Sequence, residues 1–330
     1  MKKIFVTGGA GFIGSHCVVS LVKNGYTPII IDNFFNTNKN VIKNLETITK
    51  KKIIFYQVDL RDKNKLNLIF KKHRCYSVIH FAGYKAVGES VQKPIYYFEN
   101  NIVSTLSLLD CMYKNNIFKI IFSSSCTVYD DTQTLPWKEH TKVGNTKNPY
   151  GTSKYIIERI LMDLVKFDKK WNVSIARYFN AIGNHTSGLI KENTTGIPNF
   201  LIPYIIKVVQ KKLPYLKVFG KNYKTKDGTC VRDFIHVMDV ADGHVALLKN
   251  ISLKKGLKVY NFGTGKGSTV LDVIKSFEKH TGKSVKYKFT KRRIGDVEAS
   301  FCSPKKALND LNWKIRYDLK QAMRDIKKII

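Results

Sequence analysis

The chain has 330 residues, of which 43% are hydrophobic and 12% aromatic, which is ordinary for a globular protein and long enough for two domains. No apolar run approaches the roughly 20 residues of a membrane span, and a strand follows Met1-Lys2-Lys3 directly, so we expect no membrane segment and no signal peptide. The 6 cysteines lack the paired spacing of zinc sites and disulfide frameworks, which predicts no metal and a reducing, cytoplasmic setting.

The formal net charge is +32 at pH 7. A basic balance of this size is one signature of nucleic-acid binding. The charges are spread along the chain, however, and the densest cluster is the short stretch 286–293, without zinc-finger spacing or an aromatic RNA-binding motif. We therefore expect no nucleic-acid partner and interpret the excess as solvated lysines, which also suit an anionic small substrate.

The first predicted strand, Lys3 to Thr7, leads into the turn Gly8-Gly9-Ala10-Gly11-Phe12-Ile13-Gly14. A helix follows and stops near Gly25, and a second strand, Pro28 to Ile31, ends at Asp32. In this strand–turn–helix–strand context, glycines let the backbone approach a pyrophosphate at the helix N-terminus. The Asp32 carboxylate would accept from ribose hydroxyls and repel a 2′-phosphate, which favours NAD over NADP.

The alternation of strands and helices continues to residue 180. Further predicted strands are Lys52 to Gln57, Ser77 to Phe81, Ile120 to Ser123 and Val173 to Tyr178, and further predicted helices are Asp62 to Lys72, Pro94 to Tyr113 and a stretch from Pro149 past Val165. Six strands that alternate with helices predict a Rossmann-type, doubly wound parallel sheet. Ligand chemistry is expected at the carboxyl ends of its strands, where Asp32, Asp59, Gly83, Ser125 and Phe179 fall.

After Asn180 the regularity breaks, and residues 181–330 predict a smaller α/β lobe that binds the substrate. The expected elements are a loop over 181–198, helices over Phe200 to Lys211, Asp239 to Leu248 and Ser268 to His280, and strands over Asp233 to His236, Leu257 to Phe262 and Val285 to Phe289. We expect an NAD-binding domain over 1–180 and a substrate-binding domain over 181–330, with segments near 235–262 returning to the first.

The stretch Asn148-Pro149-Tyr150-Gly151-Thr152-Ser153-Lys154 carries the clearest chemistry. Its proline suits a first helical position, and the spacing of four places Tyr150 and Lys154 on one helix face. Free tyrosine has a pKa of about 10, and a neighbouring ammonium would lower that pKa towards that of a base. Ser125 would then hold a substrate alcohol in line. Taken alone, the motif also fits a surface pair on an amphipathic helix.

Six stretches together carry a resemblance to a known family. They are Val6-Thr7-Gly8-Gly9-Ala10-Gly11-Phe12-Ile13-Gly14-Ser15-His16, His80 to Ser90, Phe122 to Tyr129, Tyr150 to Lys154, Arg177 to Asn180 and Val231 to Asp239. Nearly from end to end, the chain resembles the extended short-chain dehydrogenase/reductase family and, within it, the UDP-glucose (UDP-galactose) 4-epimerases. The second and last stretches are the ones most typical of the epimerases.

This resemblance implies an NAD-dependent interconversion of UDP-glucose and UDP-galactose through a transient 4-keto sugar. Tyr150 as a phenolate would remove the proton of the sugar 4-hydroxyl, Lys154 would stabilise the phenolate, and Ser125 would bond the 4-oxygen. The outer faces of the helices Pro94 to Tyr113 and Tyr150 to Lys166 would pair in a homodimer as a four-helix bundle.

The resemblance also implies two binding sets. The cofactor set is Gly8, Gly11, Phe12, Ile13, Gly14, Asp32, Asn33, Phe34, Phe35, Asn36, Thr37, Asp59, Leu60, Phe81, Ala82, Gly83, Tyr84, Lys85, Asn100, Ser125, Tyr150, Lys154 and Phe179. The substrate set is Lys85, Ser125, Tyr150, Tyr178, Asn180, Leu201, Phe219, Arg232, Arg293, Asp296 and Ser300. Arg232 and Arg293 suit a diphosphate, which prefers planar bidentate donors.

Two positions depart from the common pattern of the family, and a third bears on the sugar range. Asp130 replaces a usual Gly, which puts the local turn in doubt, and Phe200 replaces a usual Asn, which removes a polar contact near the nucleotide. Ser300, four residues after Gly295-Asp296, replaces the Tyr associated with enzymes restricted to glucose and galactose. A small residue there leaves room for a 2-acetamido group, so we expect UDP-N-acetylglucosamine and UDP-N-acetylgalactosamine as further substrates, unless the loop shifts or a neighbour such as Phe301 fills the gap.

Other functions stay open at this point. A sugar-nucleotide dehydratase would need an acid near Ser125, where Cys126-Thr127 follows, and a UDP-glucuronate decarboxylase would need a basic clamp. A non-catalytic NAD-binding scaffold is disfavoured because Ser125, Tyr150 and Lys154 are all present.

Overall fold

The structure is a computed structural model that describes residues 1–192, 198–253, 255–293 and 296–330. The strands in these ranges are β1 (Lys3–Thr7), β2 (Thr27–Asp32), β3 (Ile54–Gln57), β4 (Ser77–His80), β5 (Lys119–Ser125), β6 (Asn172–Tyr178), β7 (Asn180–Ile182), β8 (Leu216–Phe219), β9 (Val231–His236), β10 (Gly256–Phe262), β11 (Gly267–Thr269), β12 (Tyr287–Thr290) and β13 (Ala299–Ser300). The α-helices are α1 (Phe12–Lys23), α2 (Asn40–Thr49), α3 (Lys63–Lys72), α4 (Val87–Gln92), α5 (Pro94–Phe98), α6 (Ser104–Lys114), α7 (Pro149–Phe167), α8 (Leu201–Val209), α9 (Val237–Asn250), α10 (Val270–Thr281), α11 (Lys305–Leu311) and α12 (Leu319–Lys327).

A seven-stranded sheet in the order β10-β6-β5-β4-β1-β2-β3 forms the centre of the molecule. All its neighbouring strands are parallel. The chain runs outward from β1 to β3 on one side and from β4 to β10 on the other, so the order reverses between β1 and β4. The predicted doubly wound parallel sheet is confirmed, and the crevice at the reversal is where such sheets bind ligands.

The seventh strand of this sheet comes from the second half of the chain. The strand predicted near residues 257–262 is β10, which pairs with β6. Helix α9 packs on α1, so this segment lies against the large sheet. The strand predicted near residues 233–236 instead belongs to a second, four-stranded sheet, in which β9 pairs with β7, β11 and β13. The division at residue 180 stays a prediction.

Several helices differ from the sequence prediction. Helices α2 and α4 were not expected, because α2 buries only Ile42 and Leu45 and α4 has only 6 residues. The single helix expected from Pro94 to Tyr113 is divided into α5, a π-helical turn over Glu99–Val103, and α6. Single-turn π-helices are frequent at functional sites, and this one buries Asn100 and Asn101 in succession.

Apolar clusters cover both faces of the large sheet and fill the smaller lobe. One face packs against α1 and α9, with Val18 and Val240 fully buried. The other packs against α6 and α7, with Leu108 and Leu161 fully buried. The smaller lobe has its own core around Phe277 on α10. None of the helices in the described ranges is long and apolar enough to cross a membrane, and all six cysteines are free thiols.

Candidate functional site

The turn between β1 and α1 is packed too closely for side chains at two of its glycines. Gly8 has a φ of +68°, and a Cβ on it would lie 2.6 Å from the backbone N of Ala82. A Cβ on Gly14 would lie 2.2 Å from the carbonyl oxygen of Gly8. The turn is therefore a bare backbone cradle at the N-terminus of α1, as a bound pyrophosphate requires.

Asp32 closes the far side of this cradle. Its side chain is 9% exposed, and its two oxygens accept from the backbone N–H groups of Ala10 at 3.0 Å and Phe34 at 2.8 Å. Burial raises the pKa of this carboxyl group, and the two backbone hydrogen bonds act against that rise. Because each oxygen has a second acceptor position, Asp32 can also receive hydroxyl groups from the cleft.

The outer end of the cleft contains a second carboxylate. The guanidinium of Arg61 donates to both oxygens of Asp59, at 3.0 Å and 2.9 Å. These hydrogen bonds lower the pKa of Asp59 to about 2. Asp59 is therefore ionised throughout the physiological pH range.

Nineteen residues of the predicted cofactor set line one continuous cleft. They are Gly8, Gly11, Phe12, Ile13, Gly14, Asp32, Asn33, Phe35, Asn36, Asp59, Leu60, Phe81, Ala82, Gly83, Tyr84, Lys85, Asn100, Tyr150 and Lys154. Ser125 and Phe179 line the adjoining cavity instead. Phe34 and Thr37 line neither, and the Phe34 ring packs against Phe55 at 6.0 Å. The cleft also includes four residues that sequence reasoning missed, namely Ile31, Val58, Ser104 and Ser123, and Tyr178, which was predicted for the substrate only.

Tyr150 and Lys154 both lie on α7, whose first turn begins at Pro149 as predicted and is capped by Asn148. The Asn148 side chain accepts from the backbone N–H of Gly151 at 2.9 Å. The Lys154 ammonium is buried, donates to the carbonyl oxygen of Ser123 at 2.8 Å, and lies 6.0 Å from the centroid of the Tyr150 ring. Tyr150 lines both the cleft and the adjoining cavity.

Ser125 stands at the carboxyl end of β5, facing the same cavity. Its hydroxyl oxygen accepts from the backbone N–H of Thr127 at 3.2 Å and from the Thr127 hydroxyl at 3.0 Å. The Ser125 O–H is therefore free to donate elsewhere, since Thr127 occupies acceptor positions only.

The expected effect of Lys154 on Tyr150 is wrong for the chain by itself. Burial raises the pKa of Tyr150 to about 12, while the Ser125 hydroxyl acts in the lowering direction. Burial also lowers the pKa of Lys154 to about 8, and the carboxylate of Glu158 counteracts this. Desolvation sets the direction of both shifts because both groups are enclosed, and the Lys154 ammonium donates to the carbonyl oxygen of Ser123.

The adjoining cavity has a volume of about 470 Å³ and lies between the carboxyl edge of the large sheet and the smaller lobe. Every residue of the predicted substrate set lines it: Lys85, Ser125, Tyr150, Tyr178, Asn180, Leu201, Phe219, Arg232, Arg293, Asp296 and Ser300. The structure therefore brings together residues that are up to 215 positions apart in the chain, from Lys85 to Ser300.

Two arginines converge on one carboxylate in this wall. Asp296 accepts from Arg232 at 3.2 Å and from Arg293 at 3.0 Å and 3.1 Å. The guanidinium of Arg293 also lies 5.5 Å from the ring centroid of Phe219. Two positive charges against one negative charge leave a net positive site beside an aromatic face, which suits an aromatic base with phosphate groups.

Lys85 lies where the cleft and the cavity meet. Its ammonium contacts the carboxylate of Glu192 and lies 4.6 Å from the ring centroid of Phe200. Phe200 therefore makes a cation–π contact with Lys85, and the loss of a polar contact to the nucleotide stays a prediction. At the other departure from the family pattern, Asp130 is buried and accepts from the backbone N–H of Thr132 at 3.1 Å. Its φ is not positive, so the turn does not require glycine.

Ser300 is 3% exposed, belongs to β13 and borders the cavity. Phe301, which could have filled the space beside it, is not part of the cavity wall. Gly295 lies outside the described residues. Within the described ranges, no group of three or more His, Cys, Asp or Glu side chains could hold a metal ion.

Known proteins are similar to this chain over nearly its whole length. A family model described as GDP-mannose 4,6 dehydratase matches residues 5–326. The UDP-glucose 4-epimerase of Neisseria meningitidis serogroup C is 50% identical over 325 residues, which cover 98% of this chain and 96% of that protein. A crystal structure of UDP-glucose 4-epimerase from Bifidobacterium longum in complex with NAD+ and UDP has a TM-score of 0.97 and 45% identity, covering 99% of this chain and 98% of the other.

A second structure is of the UDP-Glc/GlcNAc 4-epimerase from Campylobacter jejuni. It has a TM-score of 0.84 and 32% identity, and the match covers 99% of both chains. Sequence, fold and site agree, and the chain is a member of the UDP-glucose 4-epimerase family within the extended short-chain dehydrogenases/reductases.

Proposed function

We propose that this chain interconverts UDP-glucose and UDP-galactose through a transient 4-keto sugar, with NAD as its resident cofactor. The observation that carries the proposal is the position of Tyr150, which lines both the cofactor cleft and the substrate cavity. A group in this position can exchange a proton with a sugar hydroxyl at the point where the two ligands meet. The similar epimerases support the assignment.

The residues of the cleft fit NAD. The glycine turn between β1 and α1 would hold the pyrophosphate, and Asp32 would accept from the adenosine ribose hydroxyls. Asp32 also stands where a 2′-phosphate would have to lie, so its charge disfavours NADP. When bound, NAD supplies the acceptor for the hydride of the sugar C4 and a positively charged ring.

Tyr150, Lys154 and Ser125 would handle the proton. In the chain itself Tyr150 is protonated at neutral pH, since its pKa is about 12. The phenolate therefore depends on positive charge in the loaded site, and the Lys154 ammonium supplies part of it. Tyr150 would then remove the proton of the 4-hydroxyl and later return it, while Ser125 donates to the 4-oxygen.

The nucleotide would be held by the smaller lobe. Arg232 and Arg293 would bind the diphosphate, with Asp296 fixing the direction of both guanidinium groups, and Phe219 would pack on the uracil ring. Asn180 and Leu201 complete this wall.

The test of this function is the variant Tyr150→Phe. It should lose about 10²- to 10⁴-fold in turnover because the proton-transfer group is gone. Its NAD content, measured by absorbance after gel filtration, should equal that of the wild type. Wild-type protein should form UDP-galactose from UDP-glucose without accumulating NADH. Full turnover by the variant, or net NADH production by the wild type, would contradict the proposal.

We also propose that UDP-N-acetylglucosamine and UDP-N-acetylgalactosamine are substrates. Ser300 supports this, because it borders the cavity with a small side chain and Phe301 does not occupy the space. The Campylobacter jejuni protein carries both sugars in its name. Substitution of Ser300, discussed below, tests this specificity.

A homodimer is proposed from the surface of the helices near α5 and α6. Large apolar side chains are exposed there: Val91, Ile95, Val103, Leu106 and Tyr113. Such a stripe suits pairing with a second copy of the same face. A sedimentation mass of 37.8 kDa at micromolar concentration would rule this assembly out.

The six free thiols suit the cytoplasmic setting that we propose for the protein.

A further inference from the structure

Phe35 is an aromatic side chain with an unusual position. It follows β2, its side chain is 64% exposed, and it borders the cofactor cleft. Its ring centroid lies 5.2 Å from that of Tyr84, with 52° between the planes. Tyr84 follows β4 and borders the same cleft. The two rings are therefore in contact although they come from different loops.

Tyr84 is the fixed member of this pair. Its ring stacks on Tyr96 at 4.8 Å, and the two hydroxyl oxygens are 2.7 Å apart. Its backbone N–H donates to the side chain of Asn101 at 2.7 Å, and its carbonyl accepts from the same side chain at 3.1 Å. Among the residues that the structure describes, the hydrogen bond of Phe35 is a local one, from its N–H to the Asn33 side chain at 3.1 Å. Phe35 is thus the member that can move.

The order of the strands places this contact across the cleft. Strand β1 lies between β2 and β4, so the loops that follow β2 and β4 flank the glycine turn that follows β1. Phe35 stands in one flanking loop and Tyr84 in the other. A ligand that extends along the glycine turn to Asp32 must pass between these loops.

We propose that Phe35 and Tyr84 form an aromatic clasp across the cofactor cleft, which must open each time NAD enters or leaves. This inference rests on the proposed NAD site. The clasp suits the proposed reaction, because loss of the cofactor between removal and return of the hydride would release a keto sugar. Because NAD dissociates slowly, removal and return of the hydride both take place on the same enzyme molecule.

The rate constants of NAD exchange provide the test. The contact exists in the chain without any ligand and, in the proposed clasp, forms again over bound NAD, so both entry and exit have to break it. For Phe35→Ala, we expect the association and dissociation rate constants of NAD to rise together by about 3- to 10-fold, the range for one aromatic pair. The association rate constant is the decisive quantity, because Phe35 also belongs to the predicted cofactor set and loss of a direct contact with bound NAD would raise the dissociation rate constant alone. Stopped-flow fluorescence and exchange of radiolabelled NAD measure these quantities.

Two further variants separate a clasp from a local disturbance. Tyr84→Leu removes the ring and keeps the backbone bonds to Asn101, so it should accelerate exchange equally, and the double variant should add nothing to either single change. Phe289→Ala is the matched control. Phe289 is also exposed and lies 5.7 Å from an aromatic neighbour, Tyr287, but in the smaller lobe away from the cleft. Its NAD kinetics should match those of the wild type.

The possible results are distinct. Unchanged rates in Phe35→Ala would overturn the clasp while leaving NAD binding, and so the proposed function, intact. Faster dissociation with unchanged association would mean that Phe35 touches the ligand directly, which also overturns the clasp. Additive effects in the double variant would show that the rings act separately. A wild-type chain that binds no NAD would remove the proposed function and the clasp with it.

Discussion

Glu158 and Arg177 form a bidentate ion pair with no access to solvent. The Nε of Arg177 donates to one carboxylate oxygen of Glu158 at 2.9 Å, and the two side chains are 0% and 2% exposed. Glu158 lies one helical turn after Lys154 on α7, and its charge favours the protonated form of that lysine. Ser124, at the end of β5, donates to the same carboxylate at 2.5 Å. The pair therefore attaches the helix that carries Tyr150 to two strands of the sheet.

This arrangement predicts a large cost for Glu158→Gln. The change leaves the Arg177 charge buried without a counterion, and we expect the free energy of unfolding in urea to fall by about 3–5 kcal/mol. The matched control is Arg159→Ala on the same helix, which removes an exposed 3.8 Å pair with Asp163 and should cost less than about 1 kcal/mol. A double variant, Glu158→Leu with Arg177→Met, should recover much of the loss. Equal costs for Glu158→Gln and the control would contradict the prediction.

Lys154 predicts a pH dependence of stability. Its folded pKa of about 8 is below the ordinary value of 10.5, so the unfolded chain binds more protons between these values. Stability contributed by this site must therefore rise as pH increases through that window. Relative to Lys154→Met, which cannot titrate, the wild type should gain about 2 kcal/mol between pH 7 and pH 9.5. Denaturant unfolding of both proteins at the two pH values measures this gain. The control is Lys166→Met, which removes an exposed lysine of the same helix. Relative to this variant the wild type should show no such gain, because both proteins keep Lys154.

The glycine turn predicts that a single methyl group destroys the cofactor cradle. A Cβ at position 14 would lie 2.2 Å from the carbonyl oxygen of Gly8, so α1 must shift away from the turn. We expect Gly14→Ala to weaken NAD binding by more than about 10-fold, as measured by calorimetry. Gly88→Ala is the control, because its nearest neighbour is a side-chain oxygen of Asn199 at 3.5 Å, an ordinary contact. Wild-type affinity in Gly14→Ala would show that the turn can relax.

The small side chain of Ser300 predicts which UDP-sugars the enzyme accepts. Replacement by Tyr would place an aromatic ring in the cavity, and we expect Ser300→Tyr to lower kcat/KM for UDP-N-acetylglucosamine by about 10- to 100-fold. The UDP-glucose reaction should change by less than about 3-fold, since the smaller sugar does not need this space. Ser300→Ala should retain both activities. A wild-type enzyme that turns over UDP-glucose but not UDP-N-acetylglucosamine would end the proposal.

Much of the large sheet and of the catalytic helix could be predicted locally. The turn at Gly8 and Gly14 and the four-residue spacing of Tyr150 and Lys154 each lie within one short stretch, so the backbone preferences of that stretch are sufficient. The order of strands and helices around them follows from hydrophobic periodicity. Motif resemblance then supplied the distant binding residues, including the two arginines of the smaller lobe.

Other features depended on partners far away in the chain. The stretches at residues 231–236 and 256–262 were both predicted as short strands. One lies in the second sheet and the other pairs with β6, because strand pairing is decided by tertiary packing. The contact of Phe35 with Tyr84 requires the order of three strands. The sequence predicted a lowered pKa for Tyr150, whereas burial raises it. Helical spacing reveals only the nearest cation, but desolvation depends on all the residues that enclose the phenol. The sequence by itself thus determined which groups are present and on which local elements they lie, and the tertiary structure alone decided how deeply those groups are buried and which of them meet.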